Sequence, residues 1–214
     1  MITVKTFVFN PFQVNTYLLF DETGECVIID PGCMEEYEEI QLLGFIETKK
    51  LRPVRLLNTH AHIDHIAGNK YISRKYNLTL EVHKDSLRFF RHAANHAETF
   101  GFIDFESIEP TGFISDSDII RFGNSELKVL YTPGHADGSI SFYSEKDGFV
   151  ITGDVLFYLS IGRADLPSGN YKLLIESIQS KLLVLPENTL VYPGHGLSTT
   201  IGYEKKNNPF LIQG

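Results

Sequence analysis

Residues His60-Ala61-His62-Ile63-Asp64-His65 place four metal-competent side chains within six positions, and this density constrains the chain more than any other feature. Packing alone does not account for three imidazoles and a carboxylate set so close together. Neutral imidazole and carboxylate suit zinc, and also iron or manganese. No cysteine belongs to the cluster, so the closed thiolate arrangement of a structural zinc site does not apply, and the cluster reads as catalytic in type. The preceding run Val54-Arg55-Leu56-Leu57-Asn58-Thr59 has β character, and from Ile66 apolar residues return at helical spacing. The ligands are therefore expected on a strand-to-helix turn.

A chain of 214 residues is long enough to bury a real core, and one domain over residues 1–214 is the expected organisation. Its 43% hydrophobic and 21% charged residues exclude disordered and fibrous classes. A net charge of -8 with no dense Lys/Arg run argues against a nucleic-acid partner, because phosphate contacts need a basic face. No apolar stretch approaches the ~20 residues that cross a bilayer, and Met1-Ile2-Thr3-Val4-Lys5 leads into β-like sequence instead of a secretory leader. The two cysteines, Cys26 and Cys33, lie in or beside an apolar strand and read as buried free thiols, which suits a reducing cytoplasm. A small-molecule substrate is the expected partner; oligomeric state has no sequence signature here.

Three β-like runs open the chain, Thr3–Phe9, Asn15–Phe20 and Glu25–Asp30, the last two joined through Asp21-Glu22-Thr23-Gly24 as a hairpin. From Met34 to about Lys49 an amphipathic helix is expected to turn Tyr37, Ile40, Leu43 and Phe45 or Ile46 inward, with Pro53 preceding the next strand. After the ligand turn come a helix to Tyr76, a strand at Leu78–Val82 and a helix over Lys84–Phe100. The phenylalanines there, with Phe102 and Phe105, read as core. His92 and His96 share a helix face at i, i+4 but lack the acidic partner of a HExxH site, so they and His83 read as surface or packing residues. Strands follow at Ile119–Phe122, Leu127–Tyr131, Ser139–Tyr143 and Phe149–Thr152, then a helix from Tyr171 to Leu185, a strand at Thr189–Tyr192 and a short helix around Thr199–Lys206. Two such halves, sheet against sheet with helices outside, make an α/β sandwich of four layers, αββα, from two mixed sheets.

Three more turns each set one polar residue directly after a β-like run: Thr132-Pro133-Gly134-His135, Thr152-Gly153-Asp154 and Tyr192-Pro193-Gly194-His195. Glycine before each polar residue lets the backbone approach a shared centre. With Thr59-His60-Ala61-His62-Ile63-Asp64-His65 and Gly138-Ser139, these turns form an ordered set, and the chain resembles the metallo-β-lactamase fold hydrolases, in the branch similar to short glyoxalase II (hydroxyacylglutathione hydrolase) relatives. The resemblance runs from the first hairpin to Pro209. It implies that His60, His62 and His135 hold one divalent metal, that Asp64, His65 and His195 hold the other, and that Asp154 bridges them. It implies zinc most simply, with iron or manganese as alternatives, and a role for Asp64 in orienting water besides ligation.

Two divalent ions ~3.5–4 Å apart can share a water, lower its pKa toward neutrality and hold it as a bridging hydroxide for attack on a carbonyl. The implied activity is hydrolysis of thioesters in the glyoxalase II manner, with Asp64 and Asp154 as catalytic residues. The alternatives are a mononuclear-iron persulfide dioxygenase, a lactonase or β-lactamase, and an inactive binding module. Against the last, a dead site has no reason to keep so many buried polar groups. Two features depart from the family pattern. Ala136-Asp137 stands after His135 where Thr-Pro is common, altering a hydrogen bond around the ligands. Arg163 aligns with a glutathione-contacting lysine, so it either binds a substrate carboxylate or pairs with Asp165 to shape its loop. Longer glyoxalase II enzymes have a further helical region after the last metal histidine, whereas residues 196–214 hold a short helix in which Lys205 and Lys206 read as solvated. With each missing charge-assisted contact forfeiting about 1.5–3 kcal/mol, weak discrimination for the glutathione moiety is expected.

Overall fold

The computed structural model of the chain describes residues 1–103 and 105–212, without the side chains of Asn95 and His96. The expectation for His96 thus lies outside the described residues. The first sheet runs in order β1 (Thr3–Phe9), β2 (Val14–Phe20), β3 (Glu25–Ile29), β4 (Arg52–Leu57), β5 (Leu80–Val82) and β6 (Gly112–Phe113). The second is built from β7 (Ile119–Phe122), β8 (Ser125–Tyr131), β9 (Ile140–Ser144) and β10 (Phe149–Gly153). The chain then makes a small ribbon of β11 (Leu156–Phe157) and β12 (Ser160–Ile161), before β13 (Leu190–Pro193) and β14 (Thr199–Thr200) complete the second sheet in the order β14-β13-β10-β9-β8-β7. Both sheets are mixed: β3 to β6 pair parallel, as do β10 and β13, and the other pairs are antiparallel.

Side chains that alternate along a strand must find cover on both sheet faces. Along β3, Cys26 and Ile28 enter the core beneath the outer helices, while Val27 and Ile29 face the opposite sheet. The second sheet repeats the division: Ile140, Phe142, Phe149 and Ile151 face inward, and Tyr143 and Val150 face outward. Outside the first sheet lie α1 (Glu36–Thr48), α2 (Ile63–Ile66), α3 (Asn69–Tyr76) and α4 (Leu87–Ala97). Outside the second lie α5 (Tyr171–Ser177), which continues as a π-helical turn over Ile178–Leu182, and α6 (Ile201–Asn207). The four layers αββα follow, and each large side chain buried between them contributes about 1.5–3 kcal/mol.

The expected hairpin forms, with Tyr17 opposite Ile29 and Phe20 opposite Cys26. Both cysteines are buried and free. Other expectations need correction. Tyr37 and Ile40 of α1 point to solvent, and Glu38, Leu42, Leu43 and Ile46 form the buried face. Glu38 turns inward because its carboxylate accepts from the N–H groups of Asn10, Met34 and Glu35. Pro53 lies inside β4, opposite Cys26, where it has no N–H to donate and the parallel register slips. The helix after the ligand turn is two pieces, so Asp64 and His65 already sit in α2. No helix among the described residues is long and apolar enough to cross a membrane.

Candidate metal centre

Four strands end at one edge of the sandwich, and each delivers its ligand just beyond its last residue. β4 from the first sheet leads to His60, while β8, β10 and β13 from the second lead to His135, Asp154 and His195. The turn after β4 is clamped from both sides. Thr59 donates its N–H and its hydroxyl to Asp30 at 2.7 and 2.6 Å, and its carbonyl accepts from the Ile140 N–H of the second sheet at 2.8 Å. The turn after β13 is held by the first sheet: Asn15 Nδ2 and the Tyr17 hydroxyl donate to the Pro193 carbonyl at 2.9 and 2.5 Å. Glycine serves a different purpose at different turns. A Cβ on Gly194 would lie 2.1 Å from Asp154 Oδ1, so the expected close approach to the centre is real there. At Gly134, with φ +126°, the crowding comes from Leu174 of α5, 2.2 Å away.

The structure brings all seven sequence-derived ligands together in two groups. In one, single ligand atoms of His60, His62, His135 and Asp154 lie within 4.8 Å of one another; in the other, so do those of Asp64, His65 and His195. His62 Nδ1 is 3.2 Å from His60 Nε2 and 2.9 Å from His135 Nε2. His65 Nε2 is 3.3 Å from His195 Nε2, which is 3.2 Å from Asp64 Oδ2. Asp154 spans the groups: Oδ1 is 3.3 Å from His65 Nε2, and Oδ2 is 3.6 Å from both His135 Nε2 and His195 Nε2.

Two observations show that this donor set suits divalent cations. His135 Nδ1 donates to the Arg163 carbonyl at 2.7 Å, and His195 Nδ1 to the Phe12 carbonyl at 3.0 Å, which turns the Nε2 of each ring inward, as a lone pair on His135 and, once its proton is displaced, on His195. The inward nitrogen of His62 has two imidazole nitrogens as neighbours, and a single N–H satisfies at most one of them. Asp154 Oδ1 is buried and has no hydrogen-bond partner. Converging lone pairs around an orphaned carboxylate oxygen are the arrangement a cation stabilises.

The charge states agree. Burial, reinforced by neighbouring imidazoles, pushes His60 well below the usual histidine value and His62 down to about 3; burial also lowers His135 against the pull of Asp154. These rings are neutral ligands near pH 7. Burial opposes charge on Asp154 and Asp64 too, yet the imidazoles around them prevail and hold both below the ordinary carboxylate range. His65 and His195 shift upward, because Asp154 and Asp64 outweigh the burial, so a cation binding there displaces protons.

Above the centre opens a cavity of about 850 Å³ bounded by Phe12, Phe89, Phe100, Phe157, Leu166 and Pro167. Phe100 thus belongs to the cavity wall and not to the core expected for it, Phe89 packs against the core while also lining the cavity, and Phe90 and Phe102 are buried as expected. His92 also borders the cavity but joins neither ligand group. His83 stacks on Tyr131 at 4.4 Å, a packing role. Arg163 borders the cavity and makes the bidentate pair with Asp165 at 3.0 and 2.8 Å. Asp137 carries an ion pair to Arg88 at 2.7 Å, and its N–H donates to the Ser168 hydroxyl.

Sequence reasoning missed Asp30, taken only as the last residue of the third β-like run. Its carboxylate accepts from Asn58, Thr59 and the Nδ1 of His65, so it orients a ligand while standing outside the centre. The one local signal was an acidic residue at the end of an apolar strand.

Residues 9–195 match the model of the Metallo-beta-lactamase superfamily. Hydroxyacylglutathione hydrolase GloC of Haemophilus influenzae is 35% identical over 202 residues, 94% of this chain and 93% of that protein. Among solved structures, BLEG-1 B3 metallo-beta-lactamase superposes with a TM-score of 0.90 at 35% identity, covering 99% of this chain and 100% of that one. TTHA1623 in a di-iron-bound form gives 0.87 at 35% identity, covering 97% and 100%.

Proposed function

Taking as premise that this chain belongs to the metallo-beta-lactamase superfamily, we propose that it is a metal-dependent hydrolase of thioesters that works with two divalent cations. The observation that carries the reading is the pair of ligand groups joined through Asp154 beneath an open cavity. In this reading His60, His62 and His135 hold one cation, Asp64, His65 and His195 the other, and Asp154 both. When bound, such a pair supplies an acidified water and an electrophile for the substrate carbonyl. Zinc is the simplest occupant for these nitrogen and oxygen donors, and iron is the alternative that TTHA1623 illustrates.

The chain's own residues supply the remainder. Asp64, ionised beside His65 and His195, accepts a hydrogen bond from water and turns it toward the carbonyl. A thiolate, with a pKa of about 8.5, departs near neutral pH without a proton donor, so a thioester makes no demand for a general acid on the cavity wall. The hydroxyacylglutathione hydrolase named among the relatives favours this substrate class over others. Two buried free thiols suit a reducing compartment such as the cytoplasm.

Metal-replete protein should hydrolyse S-lactoylglutathione and a simple acyl thioester with kcat/KM at least ten-fold above a lactone or a β-lactam, about 1.4 kcal/mol in the barrier. Faster turnover of the β-lactam would overturn the thioester reading and make the B3 enzyme the better guide to substrate. Oxygen consumption with a persulfide would instead support the oxygenase alternative.

A further inference from the structure

The cavity over the metal centre is walled largely by apolar and aromatic side chains. Phe89 stands edge-on to the His62 ring at 5.7 Å, and Phe157 meets His195 at 6.4 Å. Phe12 stacks on Phe102 at 5.7 Å and turns an edge to Phe100 at 6.5 Å. Phe12 and Phe100 remain 44% and 51% exposed, so the protein itself leaves aromatic surface uncovered at the cavity mouth. The Phe12 carbonyl also accepts a hydrogen bond from His195 Nδ1, which ties the wall to the centre.

The charges at the mouth are already matched. Among the described residues lining the cavity, the arginines are Arg88 and Arg163, paired with Asp137 and Asp165 respectively. A substrate carboxylate would have to displace an intramolecular one, and at exposed sites such an exchange gains little. Apolar surface faces no such competitor: a methylene fully buried against these rings is worth up to about four-fold in kcat/KM.

We propose that the preferred substrates are thioesters whose acyl group is an apolar chain or ring lying against Phe12, Phe89 and Phe100, so that selection acts on acyl hydrophobicity and not on a carboxylate-bearing thiol. This rests on the thioester reading above. Hydrolysis breaks the C–S bond and forms a C–O bond from water, releasing a carboxylate, a thiol and one proton to solvent.

The test uses metal-replete protein and acetyl, butanoyl, hexanoyl and octanoyl thioesters of one neutral thiol, N-acetylcysteamine. kcat/KM should climb by about two- to four-fold per methylene until the cavity is filled. Phe100→Ser, at a half-exposed position where the fold is retained by melting temperature, should lower the octanoyl-to-acetyl ratio several-fold. Calorimetry with the matching S-alkyl thioethers, which are not hydrolysed, gives a readout independent of turnover: affinity should rise with chain length, with a negative heat-capacity change. A flat chain-length dependence of affinity overturns the inference, and so does higher kcat/KM for S-lactoylglutathione than for the octanoyl thioester. Rising affinity without turnover of any thioester upholds the apolar site while overturning the reaction.

Discussion

Asp30 carries more of the site than its place in the sequence suggests. It is fully buried at φ +50°, a left-handed conformation that an Asp tolerates at modest cost, and its carboxylate gathers Asn58, Thr59 and His65 around one point. Asp30→Asn keeps the volume but turns an amide N–H₂ toward groups that are themselves donors. We expect divalent-ion affinity to fall about 10–100-fold, measured by competition with a chelator, along with a lower melting temperature; chelator competition unchanged from wild type would remove Asp30 from the support of the centre. Of the seven proposed ligands, His60, His62, Asp64 and His65 were legible as a local cluster of chemically distinctive residues, whereas His135, Asp154 and His195 stand singly after a glycine and were legible only through the ordered set of turns and the family resemblance. Asp30 was not, because its partners lie 28 to 35 positions downstream, and Asp-Pro-Gly reads equally well as an ordinary strand end.

Individual elements show the same division between local and distant causes. Strands β2, β3, β9 and β10 were readable from nearly continuous apolar residues, since their side chains are covered on both sheet faces, and β8 from alternation, since Glu126 and Lys128 face solvent. Leu43 and Ile46 of α1 are buried as expected, but its first turn was not readable, because Glu38 is drawn inside by backbone donors from before the helix and from the β1–β2 turn. Phe100 departs from its expected core place for a related reason: a phenylalanine on an amphipathic segment looks the same whether it meets the core or a cavity. The turn after β2 offers a test at this scale. Asp21 accepts from Thr23 and, across the sandwich, from the Asn124 N–H at 2.7 Å and the Ser125 hydroxyl at 2.8 Å. Burial opposes its charge, but these hydrogen bonds prevail and lower its pKa from 3.8 to about 2. A depressed carboxylate stabilises the folded state above its unfolded pKa, and that contribution is lost as pH falls from about 4 toward 2. Asp21→Asn should therefore cost about 2 kcal/mol at pH 7 and flatten the acid side of the stability profile, as denaturant unfolding at pH 7, 4 and 3 would show. Parallel profiles for the two proteins would mean that the tie between the sheets contributes nothing.

For the whole molecule, the αββα arrangement explains why residues from position 60 to position 195 meet. Two sheets packed face to face bring the carboxyl ends of β4, β8, β10 and β13 to one edge, and cross-sheet hydrogen bonds from Asn15 and Tyr17 to Pro193 and from Ile140 to Thr59 set the spacing of the turns there. The central claim is that this edge holds two cations and that Asp154 joins them. Elemental analysis of protein loaded with zinc or, separately, with iron(II), then freed of excess metal, tests it most directly. The arrangement predicts about two divalent ions per chain in the wild type and a clear loss in Asp154→Asn, which keeps the side-chain volume but removes the charge shared by both. One ion per chain in a fully active wild type, or an undiminished pair in Asp154→Asn, would contradict it.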